Sequence, residues 1–133
     1  MAGTLPKKDR RCHLVIAYAP EGTTLREAND AVNAFVADPA RGLALFHDHF
    51  TDRAGGIVLL DVSSPEELAA LRDPGPLARW EVRIHPLTFA DSALRFMFQC
   101  DYTMSTYRNG RRLHELVRDY DAGELRASLD QRA

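Results

Sequence analysis

Four of the five histidines in the chain stand in short apolar segments that suit β-strands. An imidazole titrates near neutral pH, so it can accept and donate protons under physiological conditions. His47 and His49 are two residues apart, a spacing that places both rings on one face of a strand. We take His47, His49 and His85 as candidate catalytic groups and His13 as a candidate for substrate binding. The alternative is that all four are ordinary polar residues at a wet edge or interface.

The His47–His49 spacing could also chelate a metal ion if a third ligand came near. His13, His85 and Asp61 are the residues able to supply that ligand. Two histidines on a strand are a weak signal, because they lack the ligand spacing of a closed zinc site. We therefore expect no metal and no cofactor.

Turn residues and apolar periodicity indicate the elements that must position these side chains. Thr24 and Glu27 have the spacing of a capping box in front of the first helix. Ser64 can cap a second helix, which has Pro65 at its first position and acidic residues in its first turn. The predicted order is strand 12–18, helix 25–37, strand 43–51, strand 57–62, helix 65–71 and strand 80–87. This β-α-β-β-α-β order predicts an α+β domain of the ferredoxin-like type, with two helices on one face of a four-stranded antiparallel sheet.

Residues 88–133 follow this domain as a C-terminal extension that we expect to be mostly helical. Residues 88–108 fit one face of a helix but also alternate in part like a strand, and the absence of Gly and Pro favours the helix. Residues 111–120 predict a short amphipathic helix with Leu113, Leu116 and Val117 on one side. The expected organisation is a flexible leader over 1–11, the ferredoxin-like domain over 12–87 and the extension over 88–133.

Successive side chains on a strand point to opposite faces, so the strand patterns predict which residues face the helices. We place Leu14, Ile16 and Tyr18 on the helix side of the first strand, and Trp80, Val82 and Ile84 on that of the last. The opposite, open face then carries the histidines His13, His47, His49 and His85, the charged Glu81 and Arg83, and an apolar set formed by Val15, Ala17, Leu43, Leu45, Ile57, Leu59 and Leu87.

An open face this apolar should be covered, and a second copy of the sheet is the simplest cover. We therefore expect a homodimer whose two sheets enclose a small-molecule pocket. Leu45 and Arg83, with His13, are the candidates for contacting the substrate there.

Composition excludes several other classes of function. The chain has 133 residues, of which 45% are hydrophobic and 27% charged, as expected of a globular domain with a tail. A formal net charge of -2 offers no broad basic surface for nucleic acid. The longest apolar runs fall far short of the roughly 20 residues that cross a bilayer, and residues 1–11 do not resemble a signal peptide. We expect a cytoplasmic protein with no membrane or nucleic-acid partner, in which Cys12 and Cys100 are buried thiols.

Four stretches carry a family resemblance: Gly55 to Val62 (GGIVLLDV), Ser64 to Leu68 (SPEEL), Asp73-Pro74, and Glu81 to Leu87 (EVRIHPL). Together they resemble the second half of YCII-related domains in the dimeric α/β barrel superfamily. The resemblance implies a homodimer with a pocket where a His–Asp pair is the proposed active site. Asp73 matches that aspartate and becomes a further catalytic candidate, although an Asp before Pro is also a common turn residue. The histidine of the pair does not carry over, since it lies on the first helix in those domains and residues 24–37 here contain none.

Three functions are compatible with these features. The first is a small-molecule enzyme of the isomerase, lyase or cofactor-free oxygenase kind that the superfamily implies, with histidines moving a proton and Arg83 holding an anionic oxygen. The second is a non-catalytic ligand-binding or regulatory homodimer that uses the same groove. The third is a structural or interaction subunit that docks on a partner through its C-terminal helix.

Overall fold

The computed structural model describes residues 10–107 and 112–119, together with positions 123, 126 and 127. The chain divides into two compact units, Met1–Phe96 and Met97–Ala133. In order, the elements are β1 (Cys12–Tyr18), α1 (Leu25–Ala37), β2 (Leu43–His49), β3 (Gly55–Asp61), α2 (Pro65–Leu71), β4 (Glu81–Pro86), α3 (Ala93–Thr106) and α4 (Leu113–Asp119). The predicted ferredoxin-like α+β fold is confirmed.

Both helices of the first unit begin where their capping residues predict. The Thr24 hydroxyl oxygen accepts a hydrogen bond from the backbone N–H of Glu27 at 3.1 Å. Ser64 does the same for the N–H of Glu67, also at 3.1 Å. Each side chain thereby satisfies one of the backbone donors left without a partner at a helix start.

The four strands form one antiparallel sheet in the order β2-β3-β1-β4. Helix α1 packs its buried Ala28, Val32 and Phe35 against one face of this sheet. The core beneath it is formed by side chains from β1, β3, the residue after β3, α2 and the turn before β4, namely Val15, Ala17, Val58, Leu60, Val62, Leu71 and Leu77. On the opposite face Leu14, Ile16 and Ile57 are only half-buried, whereas Cys12, Leu59 and Asp61 at one end of it are buried; we call this side of the sheet the open face.

The prediction for the faces of β1 is wrong, whereas that for β4 is confirmed. Val15 and Ala17 are buried in the core, and Leu14, Ile16 and Tyr18 lie on the open face. Every residue of β1 is apolar apart from His13, so alternation could not choose between its two faces. On β4, Val82 and Ile84 pack against the core as expected, because they alternate with charged residues.

The faces of β2 are also only partly as predicted, because this strand contains an irregularity. The pairing of β2 with β3 shifts between Ala44 and Phe46, which leaves Leu45 at the shift. Such a β-bulge exchanges the two faces for all residues beyond it. His47 is consequently paired with Val58 and His49 with Gly56, on the helix side of the sheet, and Phe46 and Asp48 take the open face.

The stretch 88–108, which fitted both a helix and a strand, contains helix α3. Its first turn is tied to the sheet, since the N–H of Ala93 donates to the Asp61 carboxylate at 3.1 Å. Positions 108, 111 and 120 of the predicted C-terminal helices lie outside the described residues. Among the described residues, no helix combines the length and the apolar character that crossing a membrane requires.

Candidate functional site

One end of the first unit brings together the starts of β1 and α2. β1 runs antiparallel to β3, so Cys12 lies opposite Asp61 at the end of β3. The N–H of Val62 donates to the carbonyl of Arg11 at 2.8 Å, and α2 begins three residues later. A cavity of about 360 Å³ lies at this junction, lined by Arg10, Arg11, His13, Val62, Ser63, Ser64, Pro65 and Leu68. We call it the His13 pocket.

His13 is held in a defined orientation at the edge of this pocket. Its Nδ1 lies 2.8 Å from the backbone carbonyl oxygen of Arg11, which can only accept a hydrogen bond. Nδ1 is therefore the protonated nitrogen, and Nε2 carries the free lone pair of the neutral ring. This arrangement fixes both tautomer and ring, as is usual for histidines that bind ligands or transfer protons.

The rest of the pocket offers donors for an anion. Arg10 is exposed and forms no ion pair with any described residue. The Ser64 oxygen accepts from the N–H of Glu67, so its own hydroxyl hydrogen remains available. Ser63, in contrast, donates its hydroxyl to the Glu67 carboxylate at 3.0 Å. A small anion would thus meet one guanidinium and one hydroxyl beside the His13 ring, with Val62, Pro65 and Leu68 forming an apolar wall.

Arg11 is committed to a structural role beside the same pocket. Its Nη2 donates to one oxygen of the buried Asp61 carboxylate at 3.1 Å, and its Nε lies 3.1 Å from the other oxygen. The first carboxylate oxygen also accepts from the N–H of Ala93. Asp61 therefore connects Arg11 and the start of α3 to the sheet, and Arg11 adds no uncompensated charge to the pocket.

The other candidate histidines do not join His13. His47 and His49 lie at the edge strand β2, with ring centroids 5.6 Å apart in an edge-to-face arrangement. Burial lowers the pKa of His49 below its ordinary value, and the nearby His47 lowers it further, while Asp48 acts in the opposite sense. His49 Nδ1 is buried and finds no hydrogen-bond partner among the described residues.

His85 and Arg83 both lie exposed on the open face of β4. His85 pairs with Leu14 and His13 with Pro86, so the two histidines are close in register but project from opposite faces of the sheet. Arg83 Nη2 donates to the Glu81 carboxylate on its own strand at 3.0 Å. Among the described residues, the predicted site therefore separates into the strand neighbours Arg83 and His85 on β4, the pair His47 and His49 on β2, and His13 apart from both.

Asp73 lies in the turn that follows α2, whereas the His13 pocket lies at the start of this helix, which is about 10 Å long. Its carboxylate accepts from the N–H of Gly75 at 3.2 Å, as in an Asx turn. Its carbonyl accepts from Arg41 Nη2 at 3.3 Å. Through these contacts Asp73 stabilises the turn after α2.

Arg41 stabilises the same turn. Its buried guanidinium donates to Asp38 at 3.1 Å and lies 4.3 Å above the centre of the Phe35 ring. At Gly75, φ is +48°, which favours glycine, and an added Cβ would lie 2.5 Å from Arg41 Nη2, so a larger residue would displace the guanidinium. Through these contacts Arg41 connects the end of α1 to the turn after α2.

Neither a metal centre nor a reactive thiol is evident in the part of the chain that the structure describes. There, no group of three His, Cys, Asp or Glu side chains is arranged to hold a metal ion. Cys12 is fully buried, and burial, reinforced by the Asp61 carboxylate, raises the pKa of its thiol to about 11. Cys100 is half-buried and also unbridged.

The second unit carries a groove of its own. It has a volume of about 450 Å³ and is lined by Met97, Phe98, Asp101, His114 and Val117. Of the predicted apolar stripe on α4, Val117 is 57% exposed and Leu116 is half-buried, while the Leu113 side chain lies outside the described residues.

Sequence reasoning missed Arg10, Ser63 and Ser64 as pocket residues. The signal was present in the predicted topology, because an antiparallel β1–β3 pair followed by a helix must bring residues 10–13 beside residues 62–65. The pocket thus lies where strand ends meet and not on a face of the sheet.

Comparison of the chain with protein-family models, curated proteins and solved structures finds no match in any of the three.

Proposed function

We propose that this protein is a small-molecule enzyme of the dimeric α/β barrel type, related to YCII domains, and that its site is the His13 pocket. The observation that supports this most is the His13 ring, held through Nδ1 by the Arg11 carbonyl within a cavity that also contains Arg10 and Ser64. The substrate class that fits is a small carboxylate or phosphate ester, since the available donors are a guanidinium and a hydroxyl.

The reaction that this arrangement favours is an isomerisation by proton transfer. His13 Nε2 would take a proton from a carbon next to the bound anionic group, which leaves the electron pair delocalised in the substrate. The imidazolium would then return the proton to a neighbouring atom of the same molecule. The reaction balances without any further reactant, and Arg10 would stabilise the negative charge that develops on the substrate.

Binding is tested first. Isotopically labelled protein is titrated with small carboxylates and phosphate monoesters, and backbone amide shifts are followed by NMR. We expect saturable shifts at His13, Val62 and Ser64, with an affinity that falls at least about tenfold in Arg10→Ala. Arg26→Ala is the matched control, because Arg26 is exposed on α1 and does not line the pocket. Shifts confined to another surface, or equal losses in both variants, would refute the site.

Catalysis is then separated from binding by hydrogen exchange. A bound carbon acid should exchange its proton with deuterium from D2O, which one-dimensional NMR measures directly. His13→Gln should retain binding but lose exchange, whereas His47→Ala should retain both. Binding without exchange or turnover in the wild type would favour the second candidate, a non-catalytic ligand-binding protein that uses the same pocket.

The open face supports the homodimer that belongs to this proposal. It carries Leu14, Ile16 and Ile57 in its centre, only half-buried, and Leu43 and Phe46 toward one edge, 60% and 48% exposed. Leu59, which lies between Leu14 and Phe46, is already buried within the chain. Exposed apolar side chains grouped on one face of a protein often mark an interaction surface.

A further inference from the structure

We infer that the His13 pocket selects a singly charged carboxylate over a doubly charged phosphate monoester, and that Asp61 and Glu67 set this selectivity. The inference rests on the proposed function and narrows its substrate class. Neither acidic residue lines the pocket, and each contacts a lining residue whose donors a more highly charged anion would need.

Asp61 neutralises one of the two guanidinium groups that line the pocket. Arg11 Nη2 lies 3.1 Å from one oxygen of the Asp61 carboxylate, and Arg11 Nε lies 3.1 Å from the other. The Asp61 side chain is only 8% exposed, whereas that of Arg11 is 42% exposed and borders the pocket. Because this pair is neutral as a unit, Arg10 is the guanidinium left for a ligand among the described residues that line the pocket.

Glu67 occupies a second set of donors, at the start of α2. Its Oε1 accepts from the Ser63 backbone N–H at 2.8 Å and from the Ser63 hydroxyl at 3.0 Å. Pro65, the first residue of α2, has no backbone N–H to offer. The Glu67 carboxylate also places a negative charge beside a lining residue, which raises the energy of a bound dianion more than that of a monoanion.

A carboxylate matches the donors that remain better than a phosphate monoester does. The Arg10 guanidinium and the Ser64 hydroxyl can each serve one of its two oxygens. A phosphate monoester presents three oxygens and carries nearly two negative charges above pH 7, since its second pKa is about 6. The cost of dehydrating an ion rises with the square of its charge, whereas its attraction to a guanidinium rises only in proportion. A single guanidinium therefore compensates a monoanion more completely.

The test compares two probes, butanoate and propyl phosphate, that share a three-carbon chain suited to the apolar wall of the pocket. Their dissociation constants are measured at pH 8 by NMR titration of the labelled protein. We expect the wild type to bind butanoate at least about fivefold more tightly than propyl phosphate.

Two acidic residues are then changed to their amides, and circular dichroism confirms that each variant is folded. Asp61→Asn releases the Arg11 guanidinium, while its amide oxygen can still accept from the N–H of Ala93. The ratio of the two dissociation constants should shift at least about fivefold toward propyl phosphate. The double variant Arg11→Met/Asp61→Asn should return this ratio to within about twofold of the wild type, because the released charge is removed again. Glu67→Gln should also shift the ratio toward propyl phosphate, and it tests the selectivity independently if Asp61→Asn does not fold.

The matched control is Asp38→Asn, which removes the carboxylate that pairs with Arg41 outside the pocket and should leave the ratio unchanged. A ratio that stays constant in a folded Asp61→Asn or Glu67→Gln variant would overturn the role of that acid. A wild type that binds propyl phosphate as tightly as butanoate, or more tightly, would overturn the selectivity and leave the anion site intact. A wild type that binds neither probe would overturn the inference together with the proposed function.

Discussion

Alanine substitutions at two adjacent residues of β1 test which face of this strand is buried. Val15 lies in the core, whereas Ile16 lies on the open face. Val15 is 0% exposed and packs among Val32, Phe35 and Val58. Val15→Ala removes two buried carbons, worth about 1.6 kcal/mol of transfer free energy, and the remaining cavity raises the loss to about 2–3 kcal/mol. Ile16→Ala removes three carbons from a half-exposed side chain, so the expected loss is roughly 1 kcal/mol.

Thermal unfolding by circular dichroism measures this difference. For a domain of this size, 1 kcal/mol shifts Tm by about 4–8 °C, so Val15→Ala should melt about 10–20 °C below the wild type and Ile16→Ala about 5 °C below it. The melts are run at low protein concentration, where dissociation of the proposed dimer contributes least. At higher protein concentration the difference in Tm between Ile16→Ala and the wild type should grow, because Ile16 also lies in the proposed dimer interface. The corresponding difference for Val15→Ala should not change. A larger loss for Ile16→Ala than for Val15→Ala at low concentration would show that the faces of β1 are reversed.

Three further predictions concern the turn after α2, the buried thiol and the edge histidine. Arg41→Met should reduce the free energy of unfolding in urea by about 2–3 kcal/mol. Asp73→Ala should reduce it by only about 0.5–1 kcal/mol and leave ligand binding unchanged. Equal losses in the two variants would contradict a stabilising role of Arg41 in this turn. The pKa of Cys12 is raised from 9.0 to about 11, so the unfolded state loses its thiol proton first and stability should fall between pH 9 and 11. Cys12→Ala should remove roughly 1 kcal/mol of that fall per pH unit, and an unchanged pH dependence would refute this. The pKa of His49 is lowered, so its ring should remain neutral in NMR titrations to a lower pH than that of a free histidine, and stability should decrease as pH falls below 6.5. His47→Ala should bring the titration of His49 back toward its ordinary pKa.

The fold could be predicted because its signals are local. Thr24 and Ser64 mark both helix starts, and the strands are short apolar runs separated by Gly, Pro and Asp. These residues act within a few positions of one another, so the sequence alone contains the information. The order of elements then left few possible topologies.

The candidate site could be predicted only in part, because strand faces depend on the tertiary structure. β1 is apolar on both faces, so nothing in its pattern showed that Val15 rather than Ile16 is in the core. The bulge at Leu45 places His47 and His49 on the helix side of the sheet instead of the predicted open face. A bulge adds a single residue to a strand, and this has no clear signal in the sequence. Arg83 and His85 were placed correctly because polar and apolar residues alternate strictly along β4.

The His13 pocket is tested most directly by crystals soaked with small carboxylate and phosphate fragments. The proposal predicts fragment density beside the His13 ring, with the anionic group in contact with Arg10 and the Ser64 hydroxyl, and with His13 Nδ1 still bonded to the Arg11 carbonyl. Density that repeatedly occupies the β2 edge near His47 and His49, or the open face near Arg83, while the His13 pocket stays empty, would contradict it.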